Sequence, residues 1–176
     1  ILLASNSPRR RELLAGLDID YRVTALPEVD ESYPDTLSGE EIPLYISQEK
    51  AAAYRRFMKD NTLLITADTI VWLDGKVYGK PRDIADAKAM LQALSGKTHT
   101  VITGVTLTSL QKQISFAVST EVTFAALGDD EIDYYVETYR PLDKAGAYGV
   151  QEWIGYIGVT GLKGSYYNVM GLPIQR

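Results

Sequence analysis

The chain has 176 residues, 45% of them apolar, with no cysteine and a formal net charge of −5. That suits one domain or two intimately joined lobes with a real core, and it excludes disulfides, thiolate metal sites and cysteine nucleophiles together, so a cytoplasmic setting is expected. The negative balance argues against nucleic-acid or anionic-membrane binding, and no apolar run approaches the about 20 residues of a membrane span.

In chain order, a strand over 1–5 leads to a helix over 8–17, with Ser7 as its N-cap and Pro8 at its first position. Leu13, Leu14 and Leu17 define its apolar sector, and Arg10 projects near the centre of that sector with Arg9 and Arg11 on either side. A strand over 20–24 precedes the polar loop "LPEVDESYPDTLSGEE". A helix from about Pro43 to Lys59 follows, with Ile46, Lys50, Ala53 and Phe57 on one stripe. Next come the strand "TLLITA" and the hairpin "TIVWLDGKVYGK", turned by Asp74-Gly75 as a type I′ pair. Its register sets Leu73 opposite Lys76, Val71 opposite Tyr78 and Thr69 opposite Lys80, with Asp68 diagonal to Lys80 at the open end. A helix "DIADAKAMLQALSG" precedes two long alternating strands, "THTVITGVTLTSL" and "QISFAVSTEVTFAAL", which turn at Gln111-Lys112. Asp129 or Asp130 caps a helix stopped by Pro141, and the tail from Ala145 carries at least one more strand. Long hairpins among helices predict a mixed sheet in an α/β or α+β fold, not a pure βαβ repeat.

Several charges stand in unusual places. Three cations in the first turn of a helix oppose its dipole, at a cost of about 1–2 kcal/mol together, and a bound polyanion would reverse that penalty. The bland alternative is that they snorkel to solvent or pair with Glu12 and the acidic loop. Lys50 on an apolar stripe is either a snorkelling edge residue or a buried cation. Asp68 interrupts an apolar run although Asp is disfavoured in strands. It reads either as a strand-end residue paired with Lys80 or as a carboxylate held beside a lysine for metal binding or general-base work. Glu28, Asp30 and Glu31 of the loop are ordinarily just solvated, but one of them could share a divalent ion with Asp68 and a phosphate. Together, Arg10, Lys50 and Lys80 with Asp68 and Glu31 suggest a phosphate-ester or phosphoanhydride site. There is no Walker A motif and no GxGxxG after a strand. The one histidine, His99, sits in the strand-like "KTHTVITGV", which argues against a His-based triad and for a structural place in a sheet.

The segments "LLASNSPRRRELL", "VDES", "EKA", "ADTIV", "GKPRD", "LSGKTHTVITGV", "DKAGAYGVQ" and "GSYYNVMGLP" resemble, in order, the motifs of the Maf family of nucleotide pyrophosphatases. The resemblance covers nearly the whole of 1–176. It implies a single domain of α/β fold: an elongated mixed sheet with flanking helices and two lobes around a central cleft, akin to the inosine triphosphate pyrophosphatases. It also implies hydrolysis of a nucleoside triphosphate to the monophosphate and pyrophosphate with a divalent metal, Mg²⁺ or Mn²⁺. By resemblance Asp68 is the proton acceptor, Ser7, Arg10, Lys50 and Lys80 meet the phosphates, and Glu31 joins Asp68 at the metal. The dTTP- and UTP-preferring branch resembles this chain at Arg10, Thr69 and Gln151, and modified pyrimidine nucleotides fall within the same expectation. A glutamine amide donates and accepts at once, which suits the O4 and N3–H edge of thymine or uracil.

Family members continue past "GLP" with a further C-terminal helix, and residues including an initiator methionine are expected ahead of Ile1. A homodimer is implied by resemblance alone. Two other classes remain open on the sequence: a nucleotide-binding regulator of cell division in which hydrolysis is vestigial, and a structural module with dispersed cations.

Overall fold

The computed structural model describes residues 1–25 and 28–176; Leu26 and Pro27, which open the predicted polar loop, lie outside them. The elements are β1 (Leu2–Ala4), α1 (Pro8–Ala15), β2 (Arg22–Thr24), α2 (Glu41–Arg55), β3 (Leu64–Leu73), β4 (Lys76–Tyr78) and α3 (Ile84–Leu94), followed by β5 (Thr98–Thr108), β6 (Gln113–Phe124), α4 (Asp129–Tyr139), α5 (Trp153–Gly158), β7 (Val159–Lys163) and α6 (Tyr166–Met170). The strands form one mixed sheet in the order β2-β1-β3-β5-β6-β7, with β4 paired to β3. β1 runs parallel to both β2 and β3, whereas β3–β4 and β6–β7 are antiparallel. The expected mixed α/β fold is therefore present.

The chain divides into two compact units. The first comprises Ile1–Thr69, Ile102–Val118 and Gly171–Arg176, and the second Ile70–Val101 and Ser119–Met170. In the first, Leu3, Leu13, Leu14, Ile42, Ile46 and Tyr54 are buried. In the second, Val71, Leu91, Val101, Phe124, Ile132 and Val136 form the core. β3 is buried along nearly its whole length, so its residues read as a continuous apolar run and not as an alternation.

The β3–β4 turn has the predicted register: Val71 opposite Tyr78 and Leu73 opposite Lys76, with Asp74 (φ 51°) and Gly75 (φ 76°) in the left-handed region a type I′ turn requires. The hairpin is shorter than predicted. β4 stops at Tyr78, and the next carbonyl, Gly79 O, accepts the N–H of Gly146 at 3.1 Å, so the ladder never extends to a Thr69–Lys80 pair. β5 and β6 are joined by a tight turn as expected, but one residue earlier than Gln111-Lys112: Ser109 N–H donates to Lys112 O at 2.8 Å, which puts Leu110-Gln111 at the tip.

Other expectations are corrected. α1 ends at Ala15, and Leu17, beyond it, is 45% exposed. α2 buries Ile46, Lys50 and Tyr54, while Phe57 lies past its end and is exposed. The N-cap of α4 is Gly128, neither aspartate; the Gly128 N–H donates to the Glu131 carboxylate at 2.8 Å. "TLLITA" and the first hairpin arm are one strand, which places Asp68 mid-strand and not at a strand end.

Candidate active site

Strand β1 delivers the chain to Ser7, whose Oγ accepts the Arg10 N–H at 3.4 Å and caps α1. That bond uses an oxygen lone pair and leaves the hydroxyl proton free to donate. The arginines of the first turn do not simply extend into solvent. Arg11 Nη2 donates to Ser5 O at 3.2 Å. Arg10 turns inward: Nε donates to Gly171 O at 2.7 Å and Nη2 to Thr69 Oγ1 at 3.0 Å. Burial pushes the Arg10 pKa down, and neighbouring Asp68 and Glu31 act in the opposite direction. Gly171 is suited to this contact. Its φ of 124° is a conformation L side chains avoid, and a Cβ there would lie 3.6 Å from Arg10 Nε.

Lys50 comes from the buried face of α2 and is only 3% exposed, so the snorkelling alternative fails. Its Nζ donates to Asp68 Oδ1 at 2.9 Å and to Ala67 O at 3.3 Å, and pairs with Glu31 Oε1 at 3.0 Å. One ammonium thus joins acids from β3 and from the loop before α2. The lysine beside Asp68 is Lys50, where the hairpin register pointed to Lys80. The loop is shaped by Asp30, which accepts the Ser32 N–H at 2.9 Å; this bond holds the Asp30 carboxyl below its usual range.

The placement of α2 sets that geometry. Gly104 of β5 lies so close to Pro43 and Leu44 that a Cβ on it would overlap their backbone atoms. One turn before Lys50, Ser47 Oγ bonds Thr106 Oγ1 at 2.8 Å, and Thr66 Oγ1 donates to Ser47 O at 2.7 Å. The helix is therefore seated by hydroxyls from β3 and β5 and by the absence of a side chain at 104.

Sequence reasoning missed Thr103. It is fully buried and bonds Thr69 Oγ1 at 2.9 Å, which fixes the acceptor that Arg10 uses. The available signal was a threonine inside a run buried on both faces, next to the glycine of a close approach. Thr69, Arg10, Lys50, Asp68 and Glu31 are brought together in the first unit. Lys80 and Gln151 belong to the second. Lys80 is exposed in the bend after β4. Gln151 is half-buried, and its side-chain Oε1 is buried with no hydrogen-bond partner among the described residues.

The point on which the two carboxylates converge is the Lys50 ammonium, and their remaining oxygens are hard donors of the kind a small divalent cation takes, one or two at a time, with substrate oxygens and water filling its sphere. Among the described residues no three acidic or histidine side chains gather, so further ligands would be such oxygens.

The protein is of the mixed α/β class, with a buried lysine bonded to two acids and a helix N-terminus that bears arginines, an arrangement chemically suited to phosphate. The chain belongs to the Maf family, whose Maf-like protein model matches residues 1–176. A protein of Phocaeicola vulgatus named "dTTP/UTP pyrophosphatase" is 66% identical over all of this chain and 91% of its own length. Proteins of the same name from Porphyromonas gingivalis and Flavobacterium psychrophilum are 55% and 49% identical, over 99% and 100% of this chain and 89% and 90% of their own lengths. Among solved structures, the Ham1 protein of Staphylococcus aureus shares the fold, with a TM-score of 0.52 and 19% identity over 89% of each chain.

Proposed function

We propose that this chain is a nucleotide pyrophosphatase that hydrolyses dTTP and UTP, and modified pyrimidine nucleotides like them, to the monophosphate and pyrophosphate. Its family and the shared name of relatives spanning nearly its whole length support the reading. The observation that carries it is Lys50, buried and bonded at once to Asp68 and Glu31.

In this reading Asp68 accepts a proton from the water that attacks the α-phosphorus, and pyrophosphate leaves. Lys50 balances the charge of the two acids and holds Asp68 in one orientation. Arg10 and the free O–H of Ser7 meet phosphate oxygens at the N-terminus of α1, where the helix dipole also favours an anion. Lys80 is assigned to another phosphate oxygen. Glu31 and Asp68 would hold Mg²⁺ or Mn²⁺, which when bound offsets phosphate charge and polarises the reacting bond. Thr69 and Arg10 share in substrate choice, and Gln151 reads the base. Gln151 Oε1 has no hydrogen-bond partner among the described residues, so a turn of the side chain toward the base would let it accept a pyrimidine N3–H without giving up a protein bond. Most of the acceleration is electrostatic positioning, with general-base help of roughly 10²–10⁴-fold.

The test is pyrophosphate release from dTTP, UTP, dCTP and dGTP with and without divalent metal, for the natural sequence and for Asp68→Asn. Fast release from dTTP and UTP, lost in the variant, is expected. Tight binding with negligible turnover would instead make the chain a nucleotide-binding regulator. No helix of the described residues is long and apolar enough to cross a membrane. A cytoplasmic place and a homodimer belong to the proposal, and fractionation and sedimentation test them.

A further inference from the structure

Gln151 sits in a four-residue turn, Gly149–Glu152, closed by Glu152 N–H donating to Gly149 O at 3.0 Å. Both ends of that turn meet one atom. The Tyr135 hydroxyl of α4 accepts the Gly149 N–H at 3.0 Å and donates to Glu152 Oε1 at 2.8 Å. Tyr135 is fully buried, and burial pushes its pKa up, so it serves as a neutral phenol that donates and accepts together. The Glu152 carboxylate is held from another side by Lys144 Nζ at 3.4 Å, which in turn pairs with Asp143 at 3.0 Å. Just before the turn, the Tyr148 hydroxyl bonds His99 Nε2 at 2.7 Å. For core packing alone a phenylalanine at 135 would do; the hydroxyl is explained by the turn it fastens.

Such fastening matters because an amide side chain can read either pyrimidine. Uracil and thymine offer an acceptor at O4 and a donor at N3. Cytosine offers a donor at N4 and an acceptor at N3. Rotating a glutamine amide by half a turn exchanges its donor and acceptor, so a loosely held Gln151 would accept both bases, and only a fixed one discriminates.

We propose that Tyr135 is a positioning residue for base selection, its hydroxyl fastening both ends of the turn that carries Gln151 and so holding the glutamine amide in the orientation that accepts uracil or thymine and rejects cytosine. This rests on the assignment of Gln151 to the base. In this assignment Tyr135 acts through the turn, by its bonds to Gly149 and Glu152, and not by contact with the substrate.

The experiment compares kcat/KM for dTTP and dCTP in the full chain and in Tyr135→Phe, Glu152→Ala, Glu152→Gln and Gln151→Ala. Gln151→Ala sets the dTTP:dCTP ratio left without amide readout. Tyr135→Phe should lower the ratio toward that value, by about tenfold, while kcat on dTTP stays within about threefold. Glu152→Ala removes an acceptor from the same hydroxyl and should act alike, which keeps the test decisive if Tyr135→Phe does not fold. Glu152→Gln keeps an acceptor there and should restore the ratio. A natural ratio in Tyr135→Phe or Glu152→Ala, with the ratio lost in Gln151→Ala, overturns the inference and leaves the role of Gln151 standing. An unchanged ratio in Gln151→Ala removes the base assignment itself, and the inference with it.

Discussion

Replacing Lys50 by methionine keeps an unbranched apolar stem out to Cε, with sulfur in place of Cδ, and removes the ammonium. Asp68 would then lose its 2.9 Å partner while remaining 8% exposed, a carboxylate with little water, no bonded counter-charge and only the field of Arg10 to offset it. Removing one member of a buried ion pair typically costs about 3–5 kcal/mol, because the other charge stays behind. Glu31 contributes little to this sum. Its side chain is 47% exposed, so it can turn to solvent, and a pair of that kind is worth about 0–1 kcal/mol. A domain of this size loses roughly 2–4 °C of Tm per kcal/mol, so Lys50→Met should melt about 6–20 °C lower.

The double variant Lys50→Met/Asp68→Asn decides whether the stranded charge is the cause. The second substitution puts a neutral amide in place of the carboxylate, so the double variant should be more stable than Lys50→Met alone by about 2 kcal/mol. Urea unfolding of the four proteins in the cycle, with m held common, measures this directly. Lys50→Met within 0.5 kcal/mol of the natural chain, or a double variant no better than the sum of its parts, would show that Lys50 does not balance a buried charge.

Asp68→Asn alone should leave the fold intact, since an amide oxygen can still accept from Lys50, yet lower turnover by roughly 10²–10⁴-fold in a pyrophosphate-release assay; retained turnover removes Asp68 from the base role. Gly104→Ala should destabilise by about 1–3 kcal/mol through overlap with Pro43, and slow turnover by shifting α2 and with it Lys50; unchanged Tm and rate would refute the close approach as the device that seats the helix. His99 is buried, and its pKa is pushed down to about 4 from 6.5. Between those values the unfolded chain binds a proton that the folded one does not, so stability falls as pH drops through the window, by about 3 kcal/mol at about 1.4 kcal/mol per pH unit. A His99→Gln variant should show a flatter stability profile from pH 6.5 to 4, measured by urea unfolding at each pH, and an unchanged slope would locate the pH dependence in other groups.

What was legible in the sequence was local. Asp74-Gly75 fixed a hairpin register because two left-handed residues admit only one tight turn, and the anomalies of Arg10 and Lys50 were visible because charges stood on apolar faces. What was hidden was tertiary. β4 ends at Tyr78 because Gly79 O is claimed by Gly146, a residue 67 positions on, which no local pattern announces. The same holds for Asp68, whose hairpin neighbours suggested Lys80 while a helix from earlier in the chain supplied Lys50. Leu17 and Phe57 depart from expectation for a simpler reason: the apolar periodicity runs two residues past the real end of each helix, Ala15 in α1 and Arg55 in α2.

The arginines of α1 illustrate how the costs of such a site are distributed. A first turn with no acidic residue leaves the dipole uncompensated, and Arg10 adds a second positive charge with reduced access to water. Two neutral acceptors, Gly171 O and Thr69 Oγ1, satisfy its geometry without cancelling its charge. A carboxylate in either place would have stabilised the folded chain more and would have spent the cation on a permanent partner. Neutral acceptors hold Arg10 in a fixed pose while its positive field persists, the condition under which an incoming phosphate gains most from it. Lys50 follows the opposite rule, bonded to two acids; under the proposed function the two cations would divide the work, one orienting the carboxylates and the other keeping its charge for the phosphate.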